Sequence, residues 1–273
     1  TTVPTTLPPV TEPPTEPPTT TQPETQPTET EPEYILTARN AFVYDVAAEE
    51  YRFVLGGMEE RVYPASLTKL FTAYVALQYL DSEEVITAGD ELRLVQPGSS
   101  VAWIGRGHQL YVRTLVEAMM LPSGNDAAQV AAVAGGRAVG GQDLSCQEAA
   151  ALFVEQMNTM AEELGMADSH FVNPDGWHDE NHYTSMHDLV ILTQKVLTNP
   201  VMLKYTSMDA VMVQLGDREL EWKNTNMLLH EKLDMYVPST IGMKTGYTRQ
   251  AENCLMSAFK CRDGRQLVIG VFG

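Results

Sequence analysis

The sequence predicts an α+β fold built on a five-stranded antiparallel sheet. Two observations carry this. Strand-type runs stand at both ends of the folded region, and helix-period apolar runs fill the middle. At the first end, Ala38 to Asp45 alternates around Phe42 and Tyr44, and Tyr51 to Leu55 follows across the turn Ala47-Ala48-Glu49-Glu50. At the other end, Ile241 to Met243 leads into a strand, and Lys260 to Gly264 turns the chain into Gln266 to Phe272, a buried-type run. Pairing the ends closes one sheet.

Between them, the run from Pro64 through Leu67, Leu70, Phe71, Tyr74, Val75, Leu77 and Leu80 reads as a helix. The stretch with Gly89, Pro97, Gly98, Gly105 and Gly107 reads as loops with short strands. Val112 to Met120 is a helix stopped by Pro122, and Asp126 to Ala134 resumes helix. The glycine-rich Gly135 to Gly141 reads as a loop. Ser145-Cys146-Gln147-Glu148 is a capping box that starts a helix running to Leu164. Asn173-Pro174-Asp175-Gly176 is a turn, and Ser185 to Leu197 a further helix. Mixed elements follow Pro200.

Residues 1–33 are of another kind. They hold 12 Thr, 6 Glu and 10 of the chain's 16 Pro, with no Lys, Arg or aromatic residue. Such a segment cannot bury enough apolar surface to offset its ordering entropy, so it is expected to be disordered, extended and stiff. At about 3.1 Å per residue it would reach roughly 100 Å. A spacer between a domain and an anchor is the functional reading, and an inconsequential tail is the other. Residues 34–273 then form one domain large enough for a single core.

The formal charge of the chain is −18, and the tail's six glutamates leave −12 for the folded part, which argues against a nucleic-acid partner. No run of 18 apolar residues exists. The sequence shows no signal peptide, so an exported protein is expected to carry its targeting segment and any membrane or wall tether outside this chain. Cys146, Cys254 and Cys261 cannot pair completely; a bridge between Cys254 and Cys261 and buried free thiols are the two readings.

The chemistry-bearing signal is Ser66-Leu67-Thr68-Lys69. One helical turn puts the hydroxyl and the amine on one face, where a neutral lysine can act as base for the serine. Near the start of its helix, Ser66 also meets free backbone N–H groups that favour a developing oxyanion. Alone the pattern is weak, because Ser257-Ala258-Phe259-Lys260 matches it too. The first copy has company: Ser123-Gly124-Asn125 follows 57 residues later and Lys244-Thr245-Gly246 a further 121 residues on. That order is the three-part signature of penicillin-recognising serine acyl-transferases.

The surroundings sharpen the resemblance. Tyr63-Pro64-Ala65-Ser66, Leu121-Pro122-Ser123-Gly124-Asn125-Asp126-Ala127-Ala128, Phe171-Val172-Asn173-Pro174-Asp175-Gly176, Asn224-Thr225-Asn226 and Met243-Lys244-Thr245-Gly246-Tyr247-Thr248 all resemble the serine D-alanyl-D-alanine carboxypeptidases, the low-molecular-weight penicillin-binding proteins. The likeness runs from about Ala38 to Gly273. It implies a sheet with helices on both faces plus a helical subdomain, and a cell-surface or secreted enzyme working on the bacterial wall side of the membrane.

The same resemblance implies the roles. Ser66 would attack the penultimate D-alanine carbonyl of a peptidoglycan stem peptide, giving an acyl-enzyme, and β-lactams would acylate it covalently. Lys69 would be the base, its pKa lowered by burial and by the second cation Lys244. Ser123 would relay a proton to the leaving amine. Asn125 would bind the substrate amide and hold Lys69. Lys244 and Thr245 would bind the terminal carboxylate, Gly246 and Tyr247 would belong to the same substrate-binding strand, and the N–H groups of Ser66 and Tyr247 would form the oxyanion hole. No metal or other cofactor is implied.

Departures and rival readings stand beside this. Glu252 replaces a small residue, Arg249 reads as an exposed strand arginine or an extra carboxylate ligand, and insertions are expected around Gly135 to Leu144 and near Asp217. The family's helix after the final strand is not in the sequence. His178, His182 and His187 lie among aspartates without a steady helix, so a metal is disfavoured. Asp175 reads as a turn aspartate or a group at the site mouth. Met119, Met120, Met157, Met160 and Met166 read as core filling, with Tyr74 and Tyr79 packing beside them. Cross-link endopeptidase, β-lactamase and non-hydrolytic penicillin-binding sensor are the alternative functions. The lactamase lacks its Glu-x-x-x-Asn device, since Glu155-Gln156-Met157-Asn158 has the wrong spacing.

Overall fold

A computed structural model of the protein describes residues 35–273. The Thr/Pro/Glu-rich stretch 1–33 lies outside the described residues. Five strands, β1 (Asn40–Asp45), β2 (Glu50–Leu55), β3 (Thr240–Thr248), β4 (Glu252–Lys260) and β5 (Gln266–Phe272), form one antiparallel sheet in the order β2-β1-β5-β4-β3. The two ends of the folded region therefore pair at its centre, with Phe42 opposite Gly270 and Cys254 opposite Phe272.

Alternation decides which face is dry. Phe42, Tyr44, Met256, Ala258, Val268 and Phe272 are buried, whereas Phe53 on β2 is 46% exposed. Gly270 lets the Phe42 ring lie on the sheet, because a Cβ there would come within 2.3 Å of that ring. Helix α5 (Met186–Thr198) reaches the buried face through a Gln194 to Tyr44 hydrogen bond of 3.2 Å.

The central helix is α1 (Thr68–Tyr79), preceded by a 3-10 turn over Ala65–Leu67. Residues from Thr68 to Ala73 are buried without a break, as in a helix surrounded by others. Around it stand α2 (Val112–Met120), α3 (Asn125–Gly140) and α4 (Cys146–Leu164), and α6 (Pro200–Thr206) leads back towards β3. Met119, Met120, Met157 and Met166 are buried in the core, with Met160, Tyr74 and Tyr79 partly buried against it.

Helix α4 begins at the capping box of Ser145 and Glu148 and ends at Gly165 in the left-handed region, φ +81°. The expected insertion near Asp217 falls at the turn of a two-stranded ribbon, Ala210–Leu215 with Arg218–Lys223. All three cysteines are free. Only Cys254 is buried and the other two are half-buried, so neither the Cys254–Cys261 bridge nor a full set of buried thiols is present.

The expected loop at Gly135 to Gly141 is a correction. Helix α3 runs on to Gly140, and only Gly141, φ +107°, leaves it. The glycines serve packing instead: a Cβ at Gly136 would lie 1.9 Å from the Ala149 carbonyl oxygen of α4, and one at Gly135 would lie 2.7 Å from the Phe153 ring. In a sequence, glycine for close helix approach and glycine for a turn look alike. Gly136→Ala should therefore destabilise by about 1–3 kcal/mol, since overpacking against backbone outweighs the roughly 1 kcal/mol gain in helix propensity. Gly135→Ala should cost less, because a ring can turn aside. Urea unfolding midpoints of the two variants test this order.

Candidate active site

The site begins where the 3-10 turn enters α1. Ala65 is held at φ +47°, a strained value for a residue with a Cβ, and the next residue, Ser66, is half-exposed while Lys69 is fully buried. The three-residue spacing brings Lys69 Nζ within 2.8 Å of Ser66 Oγ. The competing Ser257 and Lys260 lie on strand β4, where residues three apart point to opposite faces.

A loop from the middle of the chain closes over this pair. Lys69 Nζ donates to the Asp175 carbonyl oxygen at 2.8 Å, and Thr72 Oγ1 donates to the Pro174 carbonyl oxygen at 2.6 Å. Gly176, φ +83°, makes the closure possible, because a Cβ there would lie 1.8 Å from the Ala65 carbonyl oxygen. Asp175 is thus both a turn aspartate and a buried neighbour of Lys69, 2% exposed.

Behind the turn, the Val172 N–H donates to His182 Nδ1 at 3.1 Å, so that nitrogen carries no proton. His182 Nε2–H then donates to Thr68 Oγ1 at 2.8 Å, and Thr68 Oγ1 donates to the Ala65 carbonyl oxygen at 2.8 Å. Burial holds the imidazole neutral by lowering its pKa to about 3. Of the other two histidines, His178 stacks edge-on against Tyr63 and His187 sits beside Asp188.

The second segment turns between α2 and α3. Ser123 takes φ +60°, and its Oγ is buried without a hydrogen-bond partner. Asn125 does not hold Lys69 as expected; its Nδ2 donates to Ser99 Oγ at 3.0 Å. The same loop is tied down twice more, by Ser100 Oγ donating to the Ser123 carbonyl oxygen at 2.8 Å and by Asp126 accepting from the Ala102 and Ile104 N–H groups at 2.9 Å each.

The third segment is β3, an edge strand. Gly246 lets it approach the nucleophile turn, since a Cβ there would lie 3.1 Å from the Ser66 nitrogen. Lys244 is fully buried and donates to Thr225 Oγ1 at 3.3 Å and to the Thr245 carbonyl oxygen at 3.0 Å. Thr225 and Thr245 share a hydroxyl hydrogen bond, and Tyr247 stands 67% exposed at the rim. Arg249 lies just past the strand, exposed, and Glu252 pairs with Arg39.

Two adjoining cavities open on Ser66. One, of ≈ 490 Å³, is lined by Asn125, Asp175, Trp177, Tyr247 and Arg249 among others. The other, of ≈ 650 Å³, is lined by Ser123, Thr225, Thr245, Gly246 and Tyr247 and continues over Met227 and Leu255. Seven of the eight expected site residues line one or both of these spaces or, for Lys69, bond directly to Ser66; Lys244 reaches them through Thr225 and Thr245.

Burial dominates the electrostatics of both site lysines. Burial lowers the Lys69 pKa to about 8, while Asp175 and Asp126 pull it upward. Burial first and the Lys69 charge second push Lys244 well below the ordinary lysine range, and the repulsion between the two amines is mutual. Two buried amines that repel each other do not both hold charge readily until an anion arrives.

Sequence reasoning missed four contributors. The Asp175 carbonyl acts through backbone, which no side-chain motif encodes. Ser99 and Ser100 read only as loop. Thr225 lay in a recognised triplet, Asn224-Thr225-Asn226, yet had no role until its bond to Lys244 was visible.

A family model described as D-alanyl-D-alanine carboxypeptidase matches residues 28–273. The chain is 30% identical over 219 residues to D-alanyl-D-alanine carboxypeptidase DacF of Bacillus subtilis, covering 78% of this chain and 52% of that protein. It is 31% identical over 222 residues to DacB2 of Mycobacterium tuberculosis, covering 80% and 69%. It thus spans about half the length of the first relative and about two thirds of the second. Among solved structures, the Streptomyces K15 DD-transpeptidase superposes with a TM-score of 0.77 at 25% identity, over 88% of this chain and 91% of that one. A D-alanyl-D-alanine carboxypeptidase from Mycobacterium tuberculosis gives 0.74 at 28% identity, over 92% and 88%.

The His182 arrangement can be checked directly. Two-dimensional 15N spectra of the imidazoles should show one histidine protonated only at Nε2 and neutral throughout pH 5 to 9. An imidazolium signal for His182 within that range would contradict the hydrogen-bond chain behind Ser66.

Proposed function

This chain belongs to the D-alanyl-D-alanine carboxypeptidase family, and from that premise we propose that it removes the terminal D-alanine from peptidoglycan stem peptides through an acyl-enzyme on Ser66. Residues 34–273 are the catalytic domain in this reading. Residues 1–33 are a spacer that holds it away from an anchor, on the outer side of the membrane. β-Lactams are taken as acylating inhibitors of the same serine.

One observation carries the reading: the 2.8 Å approach of Lys69 Nζ to Ser66 Oγ in a buried setting. A neutral amine has two N–H donors and one lone pair. With one N–H given to the Asp175 carbonyl, the lone pair can face the Ser66 hydroxyl and accept its proton as Oγ attacks the penultimate D-alanine carbonyl. The resulting oxyanion lies against the N–H groups of Ser66 and Tyr247, each donor worth on the order of 3 kcal/mol of barrier.

Collapse of the tetrahedral intermediate breaks the peptide C–N bond, and the departing D-alanine amine needs a proton. Ser123 Oγ, buried and without a partner, is suited to pass it from the Lys69 ammonium, which returns Lys69 to its neutral form. Water then attacks the ester with Lys69 again as base, releasing the shortened peptide. Lys244, Thr225 and Thr245 receive the terminal carboxylate, and its negative charge restores the ammonium form of Lys244. Asn125, oriented by Ser99, binds the substrate amide.

Mass spectrometry of a peptide ending in Lys-D-Ala-D-Ala should show loss of one alanine with the parent protein and none with Ser66→Ala. Intact peptide with a persistent penicillin adduct would replace the reading by a non-hydrolytic binder. Penicillin destroyed without peptide cleavage would replace it by a β-lactamase. Transfer of the peptide to an added amine in preference to water would make the chain a transpeptidase.

The rate of acylation by a penicillin should rise with pH and reach half its maximum near pH 8, because only neutral Lys69 is a base. Lys69→Arg should lower that rate about 10²–10⁴-fold, the span of a general base. Stopped-flow labelling across pH 6 to 10 measures both.

A further inference from the structure

The buried Asp175 carboxylate has no role in the mechanism above, yet the main-chain carbonyl of the same residue shares Lys69 Nζ with Ser66 Oγ, each at 2.8 Å. Its Oδ1 accepts from the Trp177 N–H at 2.9 Å and its Oδ2 from Gln129 Nε2 at 3.0 Å. Both donors are neutral, and none of the ion pairs among the described residues involves it. A carboxylate that is 2% exposed and lacks a paired cation is costly to bury unless a charge nearby answers it. The positive group against the same turn is Lys69, hydrogen-bonded to the Asp175 carbonyl oxygen.

The charged and titratable groups around Lys69 can be named element by element. Asp175 faces it from the 173–177 turn, Asp126 from the first turn of α3, and Lys244 from β3, while His182 lies behind Thr68 as a neutral ring. Asp126 is already committed to the N–H groups of Ala102, Ile104 and Ala127. Asp175 is the carboxylate whose own backbone grips the amine.

We propose that Asp175 is a positioning residue that completes a Ser66–Lys69–Asp175 relay, its carboxylate answering the charge that Lys69 acquires when it takes the Ser66 proton and its carbonyl fixing where that amine points. The logic is that of the buried aspartate in a Ser-His-Asp triad: the carboxylate stays ionised and stabilises the protonated base. The proposal rests on the reading of Lys69 as the base. No proton passes to Asp175; the proton moves from Ser66 Oγ to Lys69 Nζ and on to the leaving amine.

The test uses protein labelled with 13C at the lysine ε-carbons, the Lys69 resonance being the one missing from Lys69→Met. In the parent that resonance should titrate near pH 8. In Asp175→Asn, or Asp175→Ala should the amide not fit beside Gln129, removal of the negative neighbour should lower the midpoint by about one pH unit. Asp175→Glu, which keeps the charge, should titrate close to the parent. The rising limb of the penicillin acylation profile should move in parallel, whereas a merely structural role would lower the rate without moving the limb.

An unchanged Lys69 midpoint in a folded, charge-free variant overturns the proposal. A displaced midpoint in a protein that leaves D-Ala-D-Ala peptides intact keeps it and overturns the carboxypeptidase reading instead.

Discussion

Burying the Lys69 amine removes the water that would keep it charged, and the arrangement of the whole site follows from what replaces that water. Two acceptors do so, Ser66 Oγ and the Asp175 carbonyl, both at 2.8 Å. Neither can be moved independently. Ser66 is set by a 3-10 turn whose Ala65 occupies the left-handed region, and that conformation is braced by Thr68, by His182 behind it, and by Gly176 pressed against the Ala65 carbonyl. The Asp175 carbonyl is set by the same Gly176 and by Thr72. One turn of helix and one loop more than a hundred residues away thus form a single unit around a nitrogen atom.

The sheet supplies the third wall by an indirect route. Because β1 pairs with β5, and β5 with β4, the edge strand β3 is held at a fixed distance from α1 by strands at the opposite end of the chain. Gly246 on β3 and Gly176 on the 173–177 turn both face the Ser66 turn, and at either position a Cβ would meet it. Left-handed Ala65 and Ser123 each cost of order 1–3 kcal/mol, so the site is maintained by the fold around it rather than by its own local preference.

Much of this was legible in the sequence, and the reasons are physical. The terminal strands announce themselves by period-two alternation, Ser145 to Glu148 by a capping geometry that needs those residue types at that spacing, and the Ser66, Ser123 and Lys244 triplets by chemistry that needs all three. What was not legible depended on packing partners. Gly135 and Gly136 sit in a helix because Ala149 and Phe153 of α4 lie against them, which a local window does not contain. Asn125 turned to Ser99 rather than Lys69 because the Gly98 to Ser100 loop folds over it. The depression of Lys69 comes first from burial, and burial is a property of the assembled core. Asp175 looked like a turn residue because its importance lies partly in its main chain.

The low proton affinity of Lys244 has a consequence for how ligands enter. An anion seated beside that amine favours its ammonium form, so association should draw a proton out of solution, and the measured heat of binding should depend on the ionisation enthalpy of the buffer. Affinity for a carboxylate then falls as solutions become more alkaline, while the neutral form of the amine at position 69 becomes more populated. In the proposed mechanism, capture and chemistry therefore pull in opposite directions along the pH axis.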